Sequence, residues 1–336
     1  MIKLSVIIPV YNAEKYIERS IESVFKQGLS ENEFEVIAVN DGSKDNSLNV
    51  LQEVAKRHPN VRVIDQDNGG EGAARNTALN NANGEYFLCL DADDSLVPNS
   101  IGNLLDFSIE NDIDICFYGG VNLYEDGSVK EINFVHNVDK SGKIMTGQEA
   151  IALYKFHHSV CLSLFKREYI ESQKARFTKN VWGTDVRFLT PLLLRAKRVY
   201  RSEQICYNYV MFNPEAVTNN KIKDKSHFIK IGLSRIDVST SLMNIVEQEP
   251  IQKNCLAVVL NNLKLFSFSG VIKLIQGGIG KAELYDILDS LKKNKLYPFK
   301  NLFFNVDPID RIIIPLMNTK LGISLAYYYY SLIDRR

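Results

Sequence analysis

The sequence predicts an α/β fold with a doubly wound, mostly parallel sheet, followed by a mainly helical region. Three observations predict it. Aliphatic runs alternate with helical patterns from residue 4 to 118, the signature of β-α-β units with right-handed crossovers. The runs are apolar throughout, as strands covered on both faces are. From about Lys225 onward, apolar residues recur at helical spacing. We therefore expect an α/β domain over 1–220, in two halves (1–120 and 121–220), and a helical region over 221–336.

The elements follow in order. Leu4-Ser5-Val6-Ile7-Ile8-Pro9-Val10 is a β-branched run closed by proline, a buried strand. Residues 13–27 carry Tyr16, Ile17, Ile21, Val24 and Phe25 on one helical face, and Gly28 stops them. A second strand covers 34–40. Asp45 or Asn46 caps the next helix, to about Arg57. A third strand covers 61–64. Asn68-Gly69-Gly70-Glu71-Gly72 turns into a helix over 73–82. A fourth strand covers 86–90, a helix 99–110 and a fifth strand 113–118. Beyond Gly120 the rhythm changes: 121–124 and 129–134 flank a turn and predict a hairpin, and strands are expected at 160–165 and 205–209. Helices are expected over 228–246, 255–268 and 281–293, with Gly277-Gly278-Ile279-Gly280 between the last two.

Composition narrows the function classes. The 336 residues include 40 Lys+Arg and 40 Asp+Glu, but unevenly placed. Residues 1–150 hold 12 basic against 25 acidic, and 151–336 hold 28 against 15. The acidic half argues against nucleic acid as a partner. The basic half suits phosphates or an anionic membrane surface, or neutralises the acidic half by packing. Five scattered cysteines without a CxxC pair read as reduced core residues, which predicts a cytoplasmic protein. Met1-Ile2-Lys3-Leu4 opens directly on a strand pattern, so no signal peptide is expected. No uninterrupted apolar run reaches the length of a membrane span.

The chemistry centres on Tyr86-Phe87-Leu88-Cys89-Leu90-Asp91-Ala92-Asp93-Asp94. An apolar strand runs into three carboxylates, at the edge where open α/β sheets bind ligands. Such hard oxygens suit Mg²⁺ or Mn²⁺; the alternative is a solvated acidic turn. Two other loops leave the same edge, Pro9-Val10-Tyr11-Asn12 and Asn40-Asp41-Gly42-Ser43. Tyr11 suits either a core aromatic or a flat surface for a base. Asp41 suits either a turn or an acceptor for a base N–H, with Asn12 and Ser43 adding polar contacts. Together the loops make a nucleoside-diphosphate site. It is not a dinucleotide fingerprint or a P-loop, since no GxGxxG follows the first strand and no GxxxxGK[ST] exists.

These motifs, with Asn68-Gly69-Gly70-Glu71-Gly72-Ala73-Ala74-Arg75-Asn76, resemble those of a family 2 glycosyltransferase, an inverting nucleotide-sugar transferase of the GT-A fold found in bacterial surface-polysaccharide synthesis. They cover about the first third of the chain. The resemblance implies that Pro9, Tyr11, Asn12, Asp41, Ser43, Gly70, Arg75, Asp91 and Ala92 line a nucleotide-sugar site. Asp41 would bind the base, usually uracil, and Asp93 would ligate Mn²⁺ or Mg²⁺ on the diphosphate. It also implies that Asp185, in Trp182-Gly183-Thr184-Asp185, is the catalytic base. Thr184 stands where the family carries Glu. Trp182 suits an acceptor-sugar contact or a structural role. The basic residue the family often carries after a Tyr-x-Tyr strand is missing after Tyr207-Asn208-Tyr209; Lys221, Lys223 and Lys225 suit either a substitute for it or a solvated basic loop.

The implied partners are a nucleotide-sugar donor and a glycan or polyprenyl-diphosphate-linked acceptor. The basic, aromatic tail suits peripheral contact with the inner face of the cell membrane, packing on the catalytic domain, or oligomerisation. Two other classes compete: a non-catalytic nucleotide-sugar binder and a nucleotidyltransferase. The second would lack the Tyr-Asn and Asn-Asp-Gly-Ser loops.

Overall fold

The computed structural model describes residues 2–131, 142–154, 159–179, 182–213, 224–300, 302 and 310–333. The chain forms two compact units, one of 1–150, 156–180 and 184–219, the other of 151–155, 181–183 and 220–336.

In the first unit, β1 (Leu4–Val10), β2 (Phe34–Asp41), β3 (Val61–Gln66) and β4 (Tyr86–Cys89) lie parallel in the order β3-β2-β1-β4. Helices α1 (Ile17–Val24), α2 (Ser47–Arg57) and α3 (Glu71–Asn80) link them. Pro9 is tolerated in a central strand because pairing with β4 ends at Ile7↔Cys89, leaving one flank open beside it. Helix α1 starts later than the expected residue 13; before it, the Ala13 and Glu14 N–H groups donate to Ser47 Oγ and Asp45 Oδ2 at 2.8 and 3.1 Å, tying this turn to the start of α2.

The chain continues through β5 (Ser95–Leu96), α4 (Gly102–Glu110), β6 (Ile115–Leu123), β7 (Val129–Glu131) and α5 (Gly147–Tyr154). Then come β8 (Ser163–Lys166), α6 (Arg167–Ser172), α7 (Thr184–Arg195) and β9 (Val199–Val210). The fifth expected strand, β6, runs in the same direction as β4 but does not adjoin it. Strand β8 lies between them, antiparallel to both, so the sheet is mixed. The hairpin forms between β6 and β7; residues 132–134 of its expected second arm lie outside the described residues. Strand β9 pairs with β6 in parallel, with register shifts at Gly119, and β5 pairs with the far half of β9 through Ser95↔Asn208. The far half of β9 is also fastened to the loop after β4, through the Val210 N–H and the Asp94 carboxylate.

The second unit is helical: α8 (Lys225–Gln248), α9 (Lys253–Gln276), α10 (Lys281–Lys293), α11 (Asp310–Leu316) and α12 (Lys320–Ile333). Asp224 caps α8 by accepting the His227 N–H at 2.8 Å. Helices α8 and α9 pack antiparallel, with Gly232 against Gly270 and Gly277 against Ile229. Helix α9 is long and apolar enough to cross a membrane, yet half of its most apolar stretch is buried within the protein.

Candidate active site

Three strand-end loops meet at the carboxyl edge of β1, β2 and β4. Asn12, at φ 51°, clips the first two together. Its N–H donates to Ser43 Oγ at 3.1 Å, and its Oδ1 accepts the Lys44 N–H at 2.7 Å. Pro9 sits in register with Val39 just before this clip. Tyr11 is 50% exposed, so it is a surface ring at the mouth of the site and not a core aromatic.

Asp41, buried at the end of β2, holds the glycine turn. Its carboxylate accepts from Gln66 Nε2 (2.7 Å), Gly69 N–H (2.9 Å) and Gly70 N–H (2.8 Å). Three of its roughly four acceptor positions are thus taken by the protein. Gly70 adopts φ 82°, a conformation that a side chain would strain, and this lets its N–H reach Asp41 as α3 begins.

Arg75 projects from α3 into the interior and is 2% exposed. It is no surface helix residue. Its guanidinium pairs with Glu71, donates to Asp91 Oδ1 at 2.9 Å and reaches Asp185 Oδ1 at 3.5 Å. Its other side faces the Phe177 ring at 5.5 Å. Burial alone would lower its pKa, but the carboxylates raise it well above the ordinary value. Asp185 lies in the first turn of α7, and its Oδ2 accepts the Val160 N–H at 3.2 Å. One buried cation thus gathers acids from α3, the β4 edge and α7. Glu71 responds to the crowding. Arg75 draws its carboxyl down, while the charges of Asp91, Asp185 and Asp93 push it up, and more than half of the side chain stays in solvent.

The three carboxylates after β4 do not act alike. Asp91 faces Arg75, and Ala92 is buried beside it. Asp93 Oδ2 accepts from Asn213 Nδ2 at 2.7 Å, while its carbonyl accepts from Arg19 Nη2 at 2.7 Å. Burial raises the Asp93 carboxyl; the Asn213 bond partly offsets this, and the Asp91 charge adds to it. Asp94 differs from its two neighbours: it is buried and turned toward β9. It accepts the Tyr207 O–H at 2.8 Å and the Val210 N–H at 2.8 Å. Burial and the charges of Asp91 and Asp93 push its carboxyl up to about 8. Tyr207 Oη also accepts the Asp91 N–H at 3.1 Å, closing a latch between β9 and the acidic loop.

Removing that hydroxyl strands a buried N–H and a buried carboxyl oxygen. Tyr207→Phe is expected to cost about 2 kcal/mol of stability and to weaken donor binding. A melting curve and a nucleotide titration check both; unchanged values in the two would show that the latch is dispensable.

Arg19 and Asn213 had no sequence signal, and Glu71 stood out only as a member of the glycine-turn motif. Arg19, from α1, stands over the Phe212 ring at 5.2 Å and brings a cation to the acidic loop. Asn213 and Glu71 complete the surround. Of the lysines suited to this purpose, Lys221 and Lys223 lie outside the described residues, and Lys225 opens α8 in the second unit. Trp182 meets His227 edge-on at 5.4 Å, also in the second unit.

The model of the family described as Glycosyl transferase family 2 matches residues 5–172, half of the chain. The chain belongs to glycosyl transferase family 2. Family membership makes it a glycosyltransferase by class. Among its relatives, the uncharacterized glycosyltransferase YibD of Escherichia coli K12 is 28% identical over 68% of this chain and 69% of its own length. EpsJ of Bacillus subtilis, an uncharacterized glycosyltransferase, is 31% identical over 64% of this chain and 62% of its own. The poly(ribitol-phosphate) beta-glucosyltransferase of Bacillus spizizenii is 32% identical over 62% of this chain, but the match spans only 32% of that protein. In three dimensions, the crystal structure of Staphylococcus aureus TarS 1-349 with UDP-GlcNAc superimposes with a TM-score of 0.72, covering 99% of this chain and 92% of the other at 20% identity. A mannosyltransferase from Pyrobaculum calidifontis, solved with GDP-Man and Mn²⁺, superimposes with a TM-score of 0.56 at 18% identity over 99% of this chain and 88% of the other. The family 2 chain therefore has the GT-A fold that its strand-end motifs predict.

Proposed function

We propose that this protein is an inverting glycosyltransferase that moves a sugar from a UDP-sugar to a hydroxyl of a glycan or polyprenyl-diphosphate-linked acceptor in cell-envelope polysaccharide synthesis. One observation carries the reading: buried Arg75 bonds Asp91 on the donor side and reaches Asp185 at the start of α7. The UDP-GlcNAc bound in the TarS structure supports a uridine donor.

In this reading Tyr11 stacks on the base, and Asp41 offers it its remaining acceptor position. Asn12, Ser43 and Gly70 shape the pocket, with Pro9 and Ala92 as its close-packed walls. The acceptor hydroxyl attacks the anomeric carbon from the face opposite the nucleotide, and an Asp185 carboxylate oxygen takes its proton. Arg75 and the Val160 N–H aim that carboxylate. Glu71, on the other side of Arg75, supplies the second carboxylate that Thr184 does not.

The residues fit a divalent cation. Asp93 is a carboxylate raised by burial beside Asp91, and a cation there would favour its ionised form. Among the described residues no group of three or more His, Cys, Asp or Glu forms a closed ion cage. That suits Mn²⁺ or Mg²⁺ held by one or two carboxylates and the donor's own phosphates. Bound there, the ion would neutralise the departing diphosphate.

Asp93→Ala is expected to abolish the extra thermal stabilisation that Mn²⁺ adds to UDP-sugar binding. Full retention of the metal effect would remove Asp93 from this role. Thr184 favours a second reading, a non-catalytic nucleotide-sugar binder. Metal-dependent release of UDP from a donor in the presence of acceptor separates the two.

A further inference from the structure

The last two helices present an unusual surface. Of the twelve large hydrophobic residues that stand exposed among the described residues, six lie in α11 and α12. Along α12, Leu321, Leu325 and Tyr328 fall at i, i+4 and i+7, so they share one face. Leu321 is 71% exposed, and Ile312 on α11 is 70% exposed. The opposite side of α12 is anchored: Ile323 is buried and Tyr327 Oη donates to the Ile279 carbonyl at 2.7 Å. An exposed apolar stripe on a docked helix is a binding surface in search of an apolar partner.

The surroundings specify that partner. A cleft of about 820 Å³ opens beside α11, with Lys292, Lys300 and Arg311 among its lining and Phe299 and Ile314 in its wall. Asn318 fixes that wall by two hydrogen bonds to the Phe299 backbone, at 2.8 and 3.1 Å. Among the described residues no acidic side chain lines the cleft, and after Asp310 at the start of α11 no acidic residue occurs up to Ile333. Among the described residues, none of the three cations is paired with a carboxylate. A second copy is a poor occupant, because a two-fold contact would set one cationic rim against another. A bilayer interface suits both features. Leucine and tyrosine settle at headgroup depth, while lysine and arginine meet lipid phosphate.

We propose that α11 and α12 form a docking face for an anionic lipid bilayer, with the cleft taking a lipid headgroup phosphate. The face rests on the second unit alone and does not depend on the transferase reading. Lying flat, α12 would offer a contact roughly 21 Å long.

Flotation of the full-length protein with vesicles tests this. Binding is expected to phosphatidylcholine vesicles containing phosphatidylglycerol and at least tenfold less to phosphatidylcholine alone. Leu321→Glu with Leu325→Glu should abolish flotation. Lys292→Gln, Lys300→Gln and Arg311→Gln should each weaken it about fivefold, and together roughly a hundredfold. Melting curves confirm that the variants fold, and the three cation variants keep the test valid if the glutamates disturb folding. Failure of the wild type to float with anionic vesicles overturns the proposal. So does equal binding to neutral vesicles, or a wild-type dimer in sedimentation that the two glutamates dissociate. UDP release by the wild type is measured separately, so its loss bears only on the proposed transfer.

Discussion

Replacing Asp185 by asparagine is expected to reduce transfer by roughly 10²- to 10⁴-fold, the contribution of a positioned general base. The amide keeps the shape of the carboxylate, and its oxygen still accepts the Val160 N–H. What it lacks is the ability to take a proton. UDP-sugar binding and the melting temperature should therefore stay near wild type while turnover falls. Single-turnover measurement under saturating donor and acceptor isolates the chemical step. Unchanged turnover would move the base elsewhere, with Glu71 the first candidate because it shares the same arginine.

Arg75→Ala should be the most damaging single change. It removes a fully buried cation and leaves Asp91, Asp185 and Glu71 mutually repelling with no countercharge. Breaking a fully buried pair costs about 3–5 kcal/mol; the carboxylates left here are 28% to 55% exposed, so solvent screening puts the loss at the lower end of that range. Urea unfolding should register that loss, and transfer should vanish. Arg75→Lys is not a rescue, since a single ammonium cannot serve three carboxylates with a planar fork. A lysine variant with wild-type stability and rate would show that the cluster needs only one positive charge.

The β1 to β4 half was legible because each strand is a continuous apolar run and each loop carries its own short motif. Arg75 was legible as a motif residue, though its three-way pairing was not, since Asp185 lies 110 positions away. The place of β8 between β4 and β6 was hidden for the same reason: local periodicity marks a strand but not its neighbours. Asp94 looked like its neighbours because adjacency in the chain says nothing about which carboxylate turns inward. Its partners, Tyr207 and Val210, come from a strand more than a hundred residues later. Arg19 reads as an ordinary exposed residue of α1 until Phe212 is brought beside it.

The latch between the acidic loop and β9 also bears on how the chain matures. The loop at 91–94 is complete early in synthesis, but its fastenings at Tyr207, Val210 and Asn213 are 113 to 120 residues downstream. Closing loops of that size is slow, so these contacts belong to the late part of folding. A nascent chain that has emerged only through α4 holds every donor motif and none of the fastenings. If these loops bind the donor as proposed, donor affinity is expected to appear only after the end of β9 has joined the sheet.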